Sequence, residues 1–300
     1  MPSSKESDLR PEPPNTLLYS IVVPAYNEEK NIVPTLHALA AELRQNGIPF
    51  ELVVVNDNSR DRTEQVVEQL RNDIPEIRLV SNPRPNGLGR AVRWGLENVS
   101  GDVVAVVMAD NSDDPRDVVA CYRKIEEGYD CVFGSRFIRG SKVTHYPPVK
   151  LLVNRLVNHL MQLLFLTRFN DLTNAFKVYR RHVIESIQPL RAAHFNITIE
   201  MSLSALIRRY RIAQIPISWT GRTWGASNLR LRQMGRRYLC TLLKIWFERL
   251  FILDDLLTEG TLSNTRSSGN SGDKRRRRPL HDFGNFSSKP SAMSKASYIL

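Results

Sequence analysis

The sequence predicts an α/β domain built on a mostly parallel sheet flanked by helices. Between Leu17 and Phe133, apolar β-rich runs at 18–23, 50–55, 77–81, 102–108 and 130–134 alternate with segments of helical periodicity. Three of those runs end alike: the first enters Pro24-Ala25-Tyr26-Asn27-Glu28-Glu29, the second Asn56-Asp57-Asn58-Ser59, and the fourth stops on Asp110. Ligands of open α/β sheets bind beyond the carboxyl ends of the strands, so three strands bring acids to one binding edge.

Residues 1–16 are polar and Pro-rich and read as a disordered arm. They show no charged-then-apolar leader, which sets the expectation of a cytoplasmic chain. The turn after the first strand contains no glycine, which excludes a dinucleotide-binding turn, because pyrophosphate needs close backbone approach there. Asp61 with Glu64 three residues on signals a helix start. Asn86-Gly87-Leu88-Gly89-Arg90-Ala91 joins a strand to a helix but lacks the Lys-Ser/Thr of a phosphate loop. Asp110 ends its strand as a lone carboxylate, an oxygen donor suited to a hard divalent cation. Asp114-Pro115, with Asp117 following, caps the next helix, so Asp114 reads as a cap rather than a ligand.

After Arg136 the alternation stops. Leu151 to Leu166 reads as a helix, apolar almost all round except for a stripe of Asn154, Arg155, Asn158, His159 and Gln162. It is either a buried helix with a polar seam or a membrane-facing one. Arg232 to Leu256 gathers Leu239, Leu242, Leu243, Trp246, Leu250 and Leu253 on one face among basic residues. A spanning helix needs about 20 mainly apolar residues; charges interrupt every such window here, so 231–258 reads as an amphipathic helix lying in a membrane interface. Residues 259–300 read as a disordered basic tail. The domain proper is 17–230.

The 300 residues are 42% hydrophobic, enough for one large core, and carry a formal charge of +11. Five of those charges sit in Lys274-Arg275-Arg276-Arg277-Arg278. Such a run is a solvated tail or a patch for anionic lipid or nucleic acid, and no nucleic-acid-binding motif accompanies it, so no nucleic-acid partner is expected. Cys121, Cys131 and Cys240 have no metal spacing and read as reduced, packed thiols. His145, His159 and His194 read as structural.

The segments VVPAYNEEKNI, VVVNDNSRDRT, NGLGRAVRWGL, VVMADNSDDP, FGSRF, NDLTNAFKVYRR and IPISWTGRTWGASNL stand in this order. Together they resemble family-2 glycosyltransferases of the GT-A fold, nearest the dolichol-phosphate mannose synthase branch, over residues 18–240. The resemblance implies transfer of a hexosyl group, mannose from GDP-mannose, to a polyprenyl phosphate with inversion, on the cytoplasmic face of a membrane and with Mg²⁺ or Mn²⁺. It implies that Pro24, Tyr26, Glu28 and Asp57 line the donor nucleotide, Asp57 near the base, and that Asp110 with Ser112 holds the metal and diphosphate. Arg136, Lys150, Asn154 and Arg155 would face the lipid phosphate, and Lys177 would close over the donor. A membrane-protein partner or a second copy of the chain is compatible with this picture.

Three departures stand out. Met108 occupies the first acidic position of the family's Asp-x-Asp, with Ser112 or Asp113 available for a further metal contact. Asn56 and Asn58 replace Asp and Gly, and Asn tolerates the left-handed backbone that Gly would provide. Lys177 replaces an Arg, keeping charge without a bidentate fork. Two other enzyme readings stand beside the first: a UDP-sugar donor, and transfer to a hydroxyl, for which Glu200 is the base candidate. A nucleotide-sugar-binding protein without turnover is the reading that Met108 motivates.

Overall fold

The computed structural model describes residues 17–221 and 235–252; the expected N-terminal arm and basic tail lie outside the described residues. Strands β1 (Tyr19–Ala25), β2 (Phe50–Asn56) and β4 (Val103–Val106) are buried at every position. Helices cover both faces of a parallel sheet, so its central strands read as unbroken apolar runs instead of alternating ones. At the edge, β3 (Ile77–Ser81) buries Ile77 and exposes Arg78 and Ser81. The sheet runs β3-β2-β1-β4-β7-β5-β8, with β5 at Cys131–Ser135, β7 at Lys177–Arg180 and β8 at Ile212–Pro216. Only β7 is antiparallel to its neighbours.

The chain leaves β1 toward β2 on one side and returns beside β1 as β4 on the other, with Tyr19 opposite both Phe50 and Val103. This is the topological switch point, where a crevice opens between loops that diverge. Successive strand residues serve opposite cores, as a two-residue period requires. Ile21, Val23, Leu52 and Val54 pack against α1 (Ile32–Gln45), α2 (Thr63–Leu70) and α4 (Pro115–Glu126). Val22, Val53 and Val55 pack against α3 (Leu88–Glu97) on the face shared with the later helices.

The Asp114 cap is present: its carboxylate accepts from Arg116 N at 3.0 Å, with Pro115 at the first helical position. The Asp61–Glu64 signal is corrected. Helix α2 begins at Thr63, and Asp61 takes the backbone N–H groups of Thr63 and Glu29, tying the first two binding loops together. Glu64 bonds Asn56 and Ser81 instead of closing a capping box.

A two-stranded ribbon, β6 (Lys142–Thr144) with β9 (Ser218–Thr220), follows β5 in space and reaches the β4 loop through the pairing of Asp113 with Trp219. Helix α5 spans Pro148–Phe165. Its polar seam faces inward, as the buried-helix reading has it, and its apolar residues face outward. Asn158 of the polar stripe is fully buried, whereas Leu152, Leu156 and Leu163 are 71%, 69% and 74% exposed. Beyond β7 come α6 (Arg181–Ser186) and α7 (Ile197–Ile207).

The expected 231–258 segment is described over 235–252 as a helix, α8. The apolar face read from the sequence splits in two. Leu242 and Ile245 are buried against the later-helix core, with Trp246 packed beside them, while Leu239, Leu243, Phe247, Leu250 and Phe251 face outward. Asn196 bonds Thr241 and Arg208 pairs with Glu248, so α8 is fastened to the domain. Buried Cys121 and Cys131 match the packed-thiol reading, and exposed Cys240 on α8 departs from it. No helix among the described residues is long and apolar enough to cross a membrane.

Candidate active site

A cleft of about 1230 Å³ opens at the carboxyl ends of β1, β2 and β4. Three asparagines turn the chain there, Asn27, Asn58 and Asn111, each with left-handed backbone at φ 56°, 62° and 57°. Asn58 therefore performs the turn expected of it in place of Gly. Its side chain also donates to the carbonyls of Asn82 and Arg84, and Asn27 accepts from Arg60 N at 2.7 Å.

Pro24, Tyr26, Glu28, Asp57, Asp110 and Ser112, all expected toward the donor, line this cleft. Asp57 accepts from Asn82 Nδ2 and from Gly87 N, each at 2.7 Å. Burial lifts its pKa above the ordinary carboxylate value, against the pull of those two hydrogen bonds and of Arg90. The glycine segment that lacks a phosphate-loop Lys thus forms part of the wall. Its glycines are required by close approach: a Cβ at Gly87 or Gly89 would collide with the carbonyl oxygen of Ala193 or Ala192. The 190–195 segment is held in turn by Glu200, which takes the N–H groups of Arg191 and Ala192 and the ammonium of Lys244. Glu200 is fully buried, is not among the residues that line the cleft, and spends its carboxylate on these three donors.

Asp110 Oδ1 accepts from Ser112 Oγ at 2.5 Å. Asp113 stands beside it, and burial together with the Asp110 charge pushes its pKa up to about 7. Among the described residues no three His, Cys, Asp or Glu gather as a metal cluster. Two adjacent buried carboxylates with a serine hydroxyl form an all-oxygen set that fits a cation keeping waters and phosphate oxygens as its other ligands. The sign of the Asp113 shift gives a prediction. A carboxyl with a raised folded pKa adds stability below its unfolded value near 3.8 and loses it as pH rises through about 7. Asp113→Asn, melted at pH 8 in EDTA, is expected to exceed the wild type by about 3 °C or more, with the gap closing toward pH 4.

Arg136, Lys150 and Asn154, expected toward the acceptor, line the cleft, but Arg136 has its fork taken up within the protein. Its Nε and Nη2 bond both oxygens of buried Asp171 at 2.8 Å, and the rings of Phe137, Tyr146 and Trp219 enclose it at 5.4, 5.5 and 5.7 Å. Burial pulls its pKa down, but Asp171 more than offsets this and holds the guanidinium above its ordinary value. Asn154 and Asn158 both donate to Thr173 Oγ1, and Leu172 N donates to Asn158, so the polar seam of α5 clamps the 171–174 loop.

Two expected residues lie elsewhere. Arg155 is outside the cleft, its guanidinium 4.6 Å from the Phe137 ring centre. Lys177 is buried in β7 beneath the cleft and donates to the carbonyls of Leu172 and Asn174. Burial brings its pKa down to about 7. It supports the 171–174 loop from below and does not close over a donor. Conversely, His145, His194, Trp219 and Tyr238 line the cleft without having been singled out for it. They come from four separate segments, and only the fold brings them together.

Residues 20–188, more than half of the chain, match the family described as Glycosyl transferase family 2. The chain is 27% identical over 213 residues to a dolichol-phosphate mannosyltransferase of Pyrococcus furiosus, covering 70% of this chain and 59% of that one. It is 32% identical over 171 residues to an undecaprenyl-phosphate 4-deoxy-4-formamido-L-arabinose transferase of Shewanella sediminis, covering 56% and 50%. It thus spans about half to three-fifths of the length of these relatives. Among solved structures, glucosyl-3-phosphoglycerate synthase of Mycobacterium tuberculosis, in complex with Mn²⁺, UDP and phosphoglyceric acid, superposes with a TM-score of 0.58 at 24% identity, covering 77% of this chain and 78% of that one. That likeness shows the fold, the GT-A arrangement the motifs implied. With the matched segment running from β1 through α6 and carrying the Asp57 and Asp110 loops, the chain belongs to glycosyl transferase family 2.

Proposed function

We propose that this chain transfers a hexosyl group from a nucleotide sugar, mannose from GDP-mannose, to a polyprenyl phosphate at a membrane surface. One observation carries the reading: the cleft joins acids to apolar side chains. Asp57, Asp110 and Asp113 line it from the loops after β2 and β4, and Val153, Val157, Leu160, Leu239 and Leu242 line it from α5 and α8. A polar donor and an apolar acceptor tail each find a matching surface. Both curated relatives carry a polyprenyl phosphate in their names, which supports the same acceptor class.

The chemistry needs little from the protein beyond placement and charge. A phosphate monoester has its second pKa near 6 and is already a nucleophile at neutral pH, so the reaction asks for no general base. Asp110 and Ser112 would hold a divalent cation, which neutralises the departing nucleoside diphosphate when bound. Lys150 and Asn154, facing the cleft from α5, would orient the acceptor phosphate for in-line displacement with inversion. Incubating the full chain with GDP-mannose, UDP-glucose and other nucleotide sugars, Mg²⁺ and a polyprenyl phosphate is expected to yield glycolipid from GDP-mannose. Product only from a UDP-sugar would leave the acceptor standing and replace the donor. Absence of product from every donor, with tight nucleotide binding, would favour the binding protein without turnover.

The outward apolar residues of α5 and α8 support peripheral docking on a bilayer from the side that the acceptor tail enters. Because Leu242 and Ile245 anchor α8 in the core, point changes probe this better than truncation. The pair Leu152→Glu and Leu156→Glu is expected to reduce flotation with anionic liposomes by about fivefold or more, near 1 kcal/mol, without lowering the melting temperature. Undiminished flotation would remove α5 from the docking surface.

A further inference from the structure

The cation site proposed above lacks an acid that the family motif carries at residue 108, where this chain has Met. We propose that Asp113 supplies the missing carboxylate, reaching back to the place that a residue 108 side chain would serve. The inference rests on the metal-dependent reading of the cleft. Asn111, with its left-handed backbone, folds the segment after β4 on itself. As a result Asp113 Oδ2 accepts from Met108 N at 3.1 Å, so a side chain five residues later lies against the backbone of 108. Met108, Asp110 and Asp113 all line the same cleft.

The neighbouring acids have other duties. Asp114 caps α4, and Asp117 accepts from Ser218 N at 2.6 Å. Asp113 is 92% buried (8% exposed), and its Oδ1 accepts no hydrogen bond among the described residues. Accepting one backbone N–H needs only a neutral oxygen such as that of Asn or Ser, so the hydrogen bond does not account for a buried charge. The Arg136 guanidinium is already matched by Asp171. A carboxyl set beside Asp110 and facing the cleft, with Oδ1 taken by no donor among the described residues, supplies the oxygen that a cation held between the two acids would need. The motif is thereby rebuilt with its acids three residues apart in sequence instead of two.

The test is Mn²⁺ binding, read as loss of the free-ion electron paramagnetic resonance signal, with Mn²⁺ alone and with GDP or UDP added to the full-length protein. Asp113→Asn, which keeps the acceptor for Met108 N, is expected to raise the Kd for Mn²⁺ at least tenfold. Moving the acid back, in Met108→Asp/Asp113→Asn, is expected to restore the Kd to within threefold of the wild type. Asp113→Ser serves as a second neutral variant if the first does not fold, and melting curves identify folded protein. If Asp113→Asn binds Mn²⁺ like the wild type while Asp110→Asn does not, the assignment of Asp113 is overturned and the metal site stands. A double variant as weak as Asp113→Asn also overturns it, because residues 108 and 113 then do not serve one place. If the wild type binds no Mn²⁺ with either nucleotide, the metal-dependent reading fails and this assignment falls with it.

Discussion

Asp110→Asn is expected to lower transfer at least about a hundredfold, a barrier increase of about 2.7 kcal/mol, while leaving the melting temperature near that of the wild type. The substitution preserves size and can still accept from Ser112, so the β4 loop keeps its local bonds. What it removes is a carboxylate charge at the switch-point crevice, where leaving-group charge has to be balanced in a low-dielectric cleft. Steady-state rates with saturating Mg²⁺ and Mn²⁺ check this. Turnover within threefold of the wild type would detach Asp110 from the chemistry.

Arg136→Ala is expected to act first on stability. Its guanidinium and Asp171 form a bidentate pair buried at both ends, with side-chain exposures of 8% and 0%. Removing one member leaves the other as an uncompensated charge, at a cost of about 3–5 kcal/mol. For a chain of this size that is a drop of about 10 °C or more in Tm. Replacing both by apolar residues, Arg136→Met with Asp171→Leu, is expected to recover much of the loss, because no charge is then stranded. A single variant that melts within 2 °C of the wild type would show that Asp171 is solvated after all. Reduced activity in Arg136→Ala is therefore to be read beside its melting curve, since the pair also holds the loop that carries Thr173 and Asn174.

The part of the cleft built by the loops after β1, β2 and β4 was legible in the sequence because it is local. Each loop directly follows a doubly covered strand, and such strands announce themselves as continuous apolar runs, so Asp57 and Asp110 could be placed at one edge from their neighbours alone. The Asp114-Pro115 cap was legible for the same reason. The part around Arg136 and α5 depends on distant partners. Nothing near Arg136 in the sequence reveals that Asp171 claims its fork, and nothing near Lys177 reveals that β7 inserts antiparallel between β4 and β5 and carries the ammonium beneath the cleft. Helix α8 misled for a related reason: its face was read as one, whereas Ile245 turns toward the core and Phe251 away from it. The α5 stripe could not say which side faced inward, and polar-inward is the less usual answer. Asn158 makes it possible by finding partners in the 171–174 loop.

The three asparagine turns bear on the thermodynamics of ligand capture. Glycine at these positions would adopt the left-handed backbone freely and would surrender more entropy on folding. Asparagine reaches the same conformation with a side chain, and at 27 and 58 that side chain is bonded across to a neighbouring loop. The ordering of this edge of the cleft is thus completed during folding, and association need not repeat it. Calorimetry of nucleoside diphosphate binding should show an entropy close to that of a rigid receptor, and Asn58→Gly should transfer the ordering to the binding step, weakening affinity chiefly through entropy.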